Sequence, residues 1–165
     1  MKIKPTLNTI INRLTRPLIH YLQWRMLWEM PPIHGQGKFV YGKQCSITNP
    51  IINTRCGDVI LGNDVAIGQN CMLITGSEDY TLTGLERLKS HSSEKRDIII
   101  EDGVTINADC NINGGVRIGK NSVIGMGSNV THDIPPNVYA WGEPARVRFK
   151  LEVINELDRK SQPAS

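Results

Sequence analysis

Residues 100–135 read IEDGVT, INADCN, INGGVR, IGKNSV, IGMGSN and VTHDIP when they are taken six at a time. Every unit begins with Ile or Val. The fifth place of each unit holds a small or medium side chain, namely Val104, Cys110, Val116, Ser122, Ser128 and Ile134. Two columns of side chains are therefore expected to point inward. The places between them are rich in Gly, Asn and Asp, which tolerate the left-handed backbone conformation of tight turns.

The same six-residue phase runs through an earlier block. LGNDVA from Leu61 and IGQNCM from Ile67 lead to Leu73, and a less regular block starts at Tyr41 with YGKQCS and ITNPII. A sandwich of amphipathic strands would alternate at period two, and that period is absent. Stacked coils of three units bury an aliphatic ladder that no single repeat could bury alone. The sequence predicts an all-β solenoid, a left-handed parallel β-helix over residues 31–142.

Length and composition narrow the function classes. A chain of 165 residues suits one domain with appendages. The net charge is only +3, and no basic run interleaved with aromatics supports nucleic-acid binding. The four cysteines form no CxxC pair or zinc-spaced cluster, which favours free thiols in a reducing compartment. With no signal peptide or membrane-spanning pattern, we expect a cytoplasmic protein.

The segments outside the repeat are predicted to be helical. Residues 1–30 carry apolar side chains at helical spacing, and Pro17 divides the predicted helical segment in two. This segment is either a cap that covers the strand edges of the first coil or a basic, aromatic-rich helix that contacts the inner face of a membrane. At the other end, residues 143–165 are predicted to form a helix over 144–160, with Val147, Leu151 and Ile154 on one face, followed by a tail. Between these ends, the repeat stops over residues 75–97, and a loop of this length usually carries function.

The segment from Tyr41 to Arg148 resembles the hexapeptide-repeat acyltransferases, especially the sugar and polysaccharide O-acetyltransferases. The most specific stretch is GMGSNVTHDIPPNVYAWGEPARV, which starts at Gly125. The resemblance implies transfer of an acyl group, most simply acetyl, from coenzyme A to a sugar or glycan acceptor without a metal. It also implies a homotrimer with the cofactor in a groove between subunits, and a loop 75–97 that closes the acceptor site against a neighbouring subunit.

The resemblance implies a histidine as general base, and this chain departs from it. An alignment of VILGNDVAIGQNCMLITGSEDY without gaps puts Glu78 at that place. A solvent-exposed carboxylate is a weak base toward an alcohol unless its surroundings desolvate it. His91, in the same loop, is the second candidate, because imidazole titrates near neutral pH. Asp79 is the candidate orienting partner, and the choice between Glu78 and His91 stays open at this point.

The resemblance also implies a set of cofactor-binding residues. They are Asn107, Ala108, Met126, Thr131, His132 and Arg146. Two of them are departures: Asn107 stands where a glycine is usual and adds bulk near the thioester, and His132 stands where a lysine is usual, which weakens a phosphate contact. His132 could equally be an exposed turn residue.

A second function class follows from these departures, which cluster where the acyl group and the acceptor meet. A catalytically degenerate β-helix that binds a partner or regulates a related enzyme would tolerate them. A γ-type carbonic anhydrase shares the expected fold but needs three histidines on one metal. Because His20, His34, His91 and His132 are scattered along the chain, the sequence excludes that reading.

Overall fold

The computed structural model describes residues 15–18 and 33–152. Residues 33–142 form five coils of a left-handed parallel β-helix with three sheets, which confirms the predicted fold class. Sheet A contains β1 (Ile33–Gly35), β4 (Ile51–Thr54), β7 (Met72–Ile74), β10 (Asn111–Asn113) and β13 (Asn129–Val130). Sheet B contains β2 (Phe39–Val40), β5 (Val59–Leu61), β8 (Ile98–Ile100) and β11 (Val116–Ile118). Sheet C contains β3 (Ser46–Ile47), β6 (Ala66–Ile67), β9 (Thr105–Ile106), β12 (Val123–Ile124), β14 (Val138–Gly142) and β15 (Ala145–Lys150).

The two predicted columns form the core of the coil. All six first-place residues of the main repeat are buried, namely Ile100, Ile106, Ile112, Ile118, Ile124 and Val130. The fifth-place residues from Val104 to Ile134 are buried as well. Neighbouring coils pair in register, so that Ile67 lies opposite Ile106 and Ile106 lies opposite Ile124. Each aliphatic side chain therefore packs on its equivalents in the coils on either side. The irregular block departs from this pattern at its first residue, because Tyr41 is exposed.

The fourth place of each regular unit makes the turn. In seven of the eight regular units this residue has a positive φ, between 57° and 82°; the exception is Asp133 in the last unit, and the seven are Asp64, Asn70, Gly103, Asp109, Gly115, Asn121 and Gly127. Only Gly, Asn and Asp occupy the place, and these are the residues that adopt left-handed backbone at the lowest cost. The turn chemistry of the sequence thus dictates where each strand of the coil ends.

The predicted C-terminal helix is wrong over its described part. Residues Ala145–Lys150 form β15, which pairs antiparallel with β14 and extends sheet C beyond the coil. Val147 and Leu151 fit a helical face, but Arg146, Arg148 and Lys150 alternate with Val147 and Phe149 at period two. Stacking of Phe149 on Tyr139 at 5.2 Å between ring centroids favours the strand. The remainder of the predicted helix, residues 153–165, lies outside the described residues.

The structure describes only a small part of the N-terminal segment that was predicted to be helical. The chain divides into two compact units, Met1–Pro31 and Pro32–Ser165. Within the first unit, residues 15–18 are helical, and the rest of the helical segment predicted for residues 1–30 falls outside the described residues. Among residues 15–18 and 33–152, none of the helices has the length and apolar character to cross a membrane. Contact of the N-terminal helices with a membrane surface stays a prediction.

Residues 75–97 interrupt the coil without disturbing it. Val59 pairs with Ile98, on the far side of the loop, and Ile98 pairs in turn with Val116 in the following coil. The loop is therefore extra chain that leaves at the corner between sheets A and B. It contains one short helix, Gly84–Lys89, none of whose residues is buried. The register of every coil is the same before and after the loop, so the scaffold carries it as an independent extension.

Asp97 fastens the end of this loop to the coil. Its carboxylate accepts the backbone N–H of Asp58 at 2.8 Å and the ammonium of Lys95 at 2.9 Å. Burial would raise the pKa of Asp97, but the N–H of Asp58 and the ammonium of Lys95 outweigh it and hold the pKa below its ordinary value. The ionised carboxylate is thus the form that stabilises the fold.

One strand provides a matched test of the core. In β8, Ile98 and Ile100 are buried in the ladder, whereas Ile99 between them points outward. We expect Ile100→Ala to lower the free energy of unfolding by about 2–5 kcal/mol, because it removes buried methylenes and leaves a cavity. Ile99→Ala is the control and should cost clearly less in the same urea titration. Equal losses for the two variants would contradict the assignment of the ladder.

A second prediction concerns acid stability. The pKa of Asp97 in the folded protein lies below the unfolded value of roughly 4. The contribution of Asp97 to the free energy of unfolding is therefore fully present above that pH, and it is lost as the pH falls through the folded pKa. Asp97→Asn should therefore flatten the dependence of the thermal midpoint on pH below about pH 4. Asp64→Asn serves as the control, since Asn also suits the left-handed turn at that place. Parallel pH curves for the wild type and Asp97→Asn would refute the linkage.

Candidate functional site

The root of the loop is tied to the coil beneath it. The backbone N–H of Thr75 donates to the carbonyl of Asn53 at 3.0 Å, and its hydroxyl donates to the same carbonyl at 2.9 Å. The N–H of Ser92 donates to the carbonyl of Ser77 at 2.8 Å and closes the neck of the loop. Cys56 contacts Ser77 through its Sγ, at 3.5 Å from both the amide nitrogen and the carbonyl oxygen. These contacts fix the position of Glu78, the next residue along the chain.

Glu78 faces a cation on the neighbouring coil. Its Oε1 lies 3.9 Å from an Nη1 of Arg55, and each side chain is close to half exposed. Arg55 follows β4 directly, at the same corner from which the loop leaves one coil later. The predicted base position is thus occupied by a carboxylate in contact with an arginine.

His91 meets the same arginine from the other end of the loop. Nη2 of Arg55 lies 3.4 Å from Nδ1 of His91. A guanidinium has only donors, so Nδ1 must be the acceptor in this contact. The structure therefore brings both base candidates to one guanidinium, although they lie near opposite ends of the loop.

Asp79 is held within the loop. Its carboxylate accepts hydrogen bonds from the backbone N–H of Thr81 at 2.9 Å and from the hydroxyl of Thr81 at 2.6 Å. These two hydrogen bonds lower the pKa of Asp79. Its own N–H donates to the hydroxyl of Ser90. The geometry is that of a side chain that shapes the turn after Glu78, and the orienting role of Asp79 toward a base stays a prediction.

An open polar cleft lies beside His91, whereas Glu78 lines a separate cleft of about 260 Å³ within the loop. The loop cleft has a volume of about 450 Å³ and is lined by His34, Gly35, Gln36, Asn53, Arg55 and His91. Its walls offer hydrogen-bond donors and acceptors from both the first two coils and the loop. Such a lining suits a polyhydroxylated ligand.

The predicted cofactor residues Asn107, Ala108 and Met126 lie at another corner, where sheet C passes into sheet A. Nδ2 of Asn107 donates to the carbonyl of Ile124 at 2.9 Å, so the extra amide is tied to the scaffold. Ala108 is half-buried, and Met126 is largely exposed. These positions form a line of small or flexible side chains along one edge of the coil.

Thr131 and His132 follow β13 and are linked to each other, with Oγ1 of Thr131 at 2.8 Å from Nδ1 of His132. Arg146 lies in β15, exposed, opposite Trp141 in the hairpin. The structure therefore does not bring the six predicted cofactor residues to one point. Thr131 and His132 lie where the strands of sheet A end, while Ala108 and Met126 lie where they begin.

An apolar cleft adjoins Met126. The aromatic cleft has a volume of about 370 Å³ and is lined by Gly125, Met126, Tyr139, Trp141 and Phe149. Its rings can reach the backbone because Gly125 has no side chain: a Cβ there would come within 2.8 Å of the Cβ of Trp141. The guanidinium of Arg148 lies 5.0 Å from the centroid of the Trp141 ring. An apolar floor with cations at its rim suits a ligand that has both a flat or aliphatic part and phosphates.

The base candidates and the aromatic cleft occupy different parts of the protomer. β7 begins at the corner that carries Ala108 and Met126 in the following coils and ends at the corner from which the loop emerges. The width of sheet A thus separates Glu78 from Met126 within one chain. Within the described part of the chain, no group of three or more His, Cys, Asp or Glu side chains is arranged to hold a metal ion.

Arg55 and the aromatic side chains are the residues that sequence reasoning missed. Asn53 pairs with Ile74 in register, so Arg55 comes one coil below the root of the loop. Alignment of the irregular coil beneath the loop could have found it. The aromatic cleft needed β15, which the sequence had assigned to a helix.

The comparisons with known proteins agree with this architecture. The family model described as bacterial transferase hexapeptide (six repeats) matches residues 97–132. The galactoside O-acetyltransferase of Escherichia coli K12 is 37% identical over 136 residues, which are 80% of this chain and 63% of that protein. The galactoside O-acetyltransferase of Lactococcus lactis is 39% identical over 104 residues, which are 63% of this chain and 47% of that protein. The chain thus spans about half to two-thirds of the length of these curated relatives.

A solved structure shows the same coil. The hexapeptide-repeat containing acetyltransferase of Vibrio cholerae, in complex with acetyl coenzyme A, superposes with a TM-score of 0.52 at 25% identity. The match covers 83% of this chain and 79% of that chain. The six-residue ladder, the left-handed turns and these similarities show that the chain is a left-handed parallel β-helix built from hexapeptide repeats.

Proposed function

We propose that this protein is an acetyl-CoA-dependent O-acetyltransferase that modifies a sugar hydroxyl and works as a homotrimer. The observation that carries the proposal is the similarity to galactoside O-acetyltransferases, which spans 80% of the chain in the E. coli relative. The polar loop cleft that His91 lines supports it, because a sugar needs closely spaced donors and acceptors. The acceptor in this proposal is a surface polysaccharide or a related glycan, on the resemblance of the segment from Tyr41 to Arg148 to the sugar and polysaccharide O-acetyltransferases.

The chemistry requires few groups from the protein. A base at the loop cleft takes the proton of the acceptor hydroxyl while that oxygen attacks the thioester carbonyl. The carbon–oxygen bond of the ester forms, the carbon–sulfur bond breaks, and the proton passes to the departing thiolate. Backbone N–H groups stabilise the oxyanion that exists after the hydroxyl oxygen has attacked and before the carbon–sulfur bond breaks. Glu78 and His91, both in contact with Arg55, are the candidates for the base.

The aromatic cleft fits one part of coenzyme A. The cleft has a volume of about 370 Å³, and its apolar lining can contact a flat ring or an aliphatic arm. Arg146, in the hairpin of β14 and β15, supplies a cation for a phosphate. The acyl thioester would supply the group that is transferred. What this chain contributes there is a rigid edge with Ala108 small enough to let the cofactor approach the backbone.

The separation of the two clefts supports the proposal that copies of the chain assemble. Because sheet A lies between them on one protomer, a cofactor held at the aromatic cleft reaches a loop cleft most simply on a neighbouring copy. A trimer of β-helices would bring the loop of one copy to the cofactor edge of the next. The proposal therefore predicts that a dissociated monomer has no transferase activity.

The second candidate function is a non-catalytic scaffold of the same fold. Its support is Glu78, a carboxylate where the resemblance implies histidine. A scaffold would keep the fold and lose turnover.

Turnover separates the two candidates. We expect thiol release from acetyl-CoA in the presence of galactosides or other hexose acceptors, and a loss of kcat of about 100-fold or more in the double variant Glu78→Gln, His91→Gln, because both base candidates are then removed. Glu86→Gln is the matched control, since Glu86 is an exposed carboxylate in the loop helix Gly84–Lys89. Absence of turnover in the wild type with every acyl-CoA and acceptor would favour the scaffold.

Cofactor binding is a separate measurement. We expect saturable binding of coenzyme A by calorimetry, weakened about tenfold by Arg146→Gln, which removes one charged phosphate contact. Arg117→Gln on sheet B is the control, since its ion pair with Glu101 lies away from both clefts. Equal affinities for the wild type and Arg146→Gln would show that the phosphates bind elsewhere.

A further inference from the structure

We infer that the loop cleft is a subsite for an acidic group, so that the acceptor is a sugar that carries a carboxylate or a phosphate. The inference rests on the proposed function only in calling this ligand the acceptor, because binding of an acidic sugar does not require turnover. It is carried by the charges and the hydrogen-bond donors that line the loop cleft.

The ionisable groups along the loop cleft are all basic. They are His34, Arg55 and His91, and none of the described residues that line the cleft carries a carboxylate. A guanidinium stays charged at physiological pH, and a nearby anion favours the charged form of an imidazole. The separate cleft within the loop has the opposite balance, since three carboxylates and one arginine line it: Glu78, Asp79, Glu94 and Arg96. Of these two clefts, the loop cleft is therefore the one whose walls attract an anion.

The guanidinium of Arg55 keeps donors available for a ligand. Its Nη1 lies 3.9 Å from Oε1 of Glu78, which is an ion pair at a separation too long for a hydrogen bond. Its Nη2 lies 3.4 Å from Nδ1 of His91, which is long for a hydrogen bond. A guanidinium has several N–H donors, and its planar fork binds a carboxylate or a phosphate through two parallel hydrogen bonds. With 40% of its side chain exposed, Arg55 can offer that fork to a ligand in the cleft.

Neutral groups beside Arg55 suit the hydroxyls of a sugar. Oδ1 of Asn53 accepts the backbone N–H of Arg55 at 2.9 Å, and Nδ2 of the same amide has no acceptor among the described residues. The amide is held against Gly76 at the root of the loop, where a Cβ would lie 2.9 Å from Oδ1 of Asn53. His34 lies next to Asn53 in register, and its imidazole makes no hydrogen bond or ion pair with the part of the chain that the structure describes. Donors for sugar oxygens thus lie beside the cation for the acidic group.

Glu78 opposes an anion in the loop cleft from the other side of Arg55. Its carboxylate is close to half exposed, so water screens its charge and the guanidinium is only partly compensated. Removal of this negative charge should therefore strengthen the binding of an acidic sugar. A neutral sugar gains nothing comparable from the same change, which gives the inference a test with a definite sign.

Direct binding to the purified full chain tests the preference for an acidic group. The probes are methyl galactoside, methyl glucoside and methyl mannoside, each compared with its uronate and its 6-phosphate. We expect at least one acidic probe to bind about tenfold more tightly than its neutral counterpart in calorimetry, because it gains a charged hydrogen bond. The difference should shrink as salt is added. Equal affinities within every set of probes would overturn the subsite, and so would inorganic phosphate alone binding as tightly as the sugar phosphates.

Substitutions test whether the acidic group binds at the loop cleft. Arg55→Gln should weaken the tightest acidic probe by about tenfold and its neutral counterpart much less. Arg55→Lys should keep part of the preference, because it retains the charge without the planar fork. Glu78→Gln should bind the acidic probe about two- to fivefold more tightly, since a like charge near the ligand is removed. Arg117→Gln on sheet B is the matched arginine control and should leave the preference unchanged.

The ratio of acidic to neutral affinity is the readout, because a movement of the loop in Arg55→Gln would weaken both kinds of probe alike. An unchanged ratio in Arg55→Gln, or weaker acidic binding in Glu78→Gln, would overturn the assignment to the loop cleft.

Turnover separates this inference from the proposed function. A higher kcat/KM for an acidic acceptor than for its neutral counterpart in the thiol-release assay would support both. Tight binding of an acidic probe with no turnover of any acceptor would refute the proposed function and leave the subsite in place. Turnover of neutral sugars without any preference for their acidic counterparts, in affinity or in kcat/KM, would overturn the subsite and leave the transferase.

Discussion

The left-handed turn at the fourth place of seven of the eight regular six-residue units is the constraint on which the rest of the structure depends. It bends the chain after every short strand, so that three units close one triangular coil and the next coil begins in register. Gly, Asn and Asp occupy this place because other side chains pay a steric penalty of roughly 1–2 kcal/mol in that conformation. Once the turns are set, the first-place and fifth-place side chains have only the interior to occupy. The aliphatic ladder is thus a consequence of the turns as much as a cause of folding.

A coil of this kind separates stability from function. Each coil rests on its two neighbours through the buried ladder, and the corners carry little of that packing. A corner can therefore accept an insertion, as it does between Ile74 and Ile98, while the coils above and below stay in register. The loop in turn is not left to find its own conformation, because Thr75 at its start and Asp97 at its end are bound to neighbouring coils. The coil fixes the position of the two ends of the loop, and the residues at the tip of the loop can vary without changing the coil.

The division between what could and could not be predicted follows from the same geometry. The buried columns from Ile100 to Ile134 were predictable because a strict period repeats one environment many times. β15 was not, since Val147 and Leu151 fit a helical face as well as Val147 and Phe149 fit a strand, and the decision depended on stacking with Tyr139. Arg55 was missed because its partners Glu78 and His91 lie far from it along the chain and meet it only across coils. The cofactor residues were named by resemblance alone, and the structure places five of them at two edges of sheet A and the sixth, Arg146, in β15 of sheet C.

The departures at the acceptor end reduce to one chemical change when their contacts are considered. Asn107 adds an amide where glycine is usual, but that amide donates to the carbonyl of Ile124 and so belongs to the scaffold. Asp79 bonds to Thr81 and shapes the turn. What remains is a carboxylate at position 78 in contact with a cation from the coil below. A lone exposed glutamate would be a poor substitute for a histidine, and the contact with Arg55 does not desolvate Glu78, whose side chain stays close to half exposed. Arg55 also contacts His91, so one guanidinium joins both arms of the loop to the coil below, and the structural role of these contacts is sufficient to account for them.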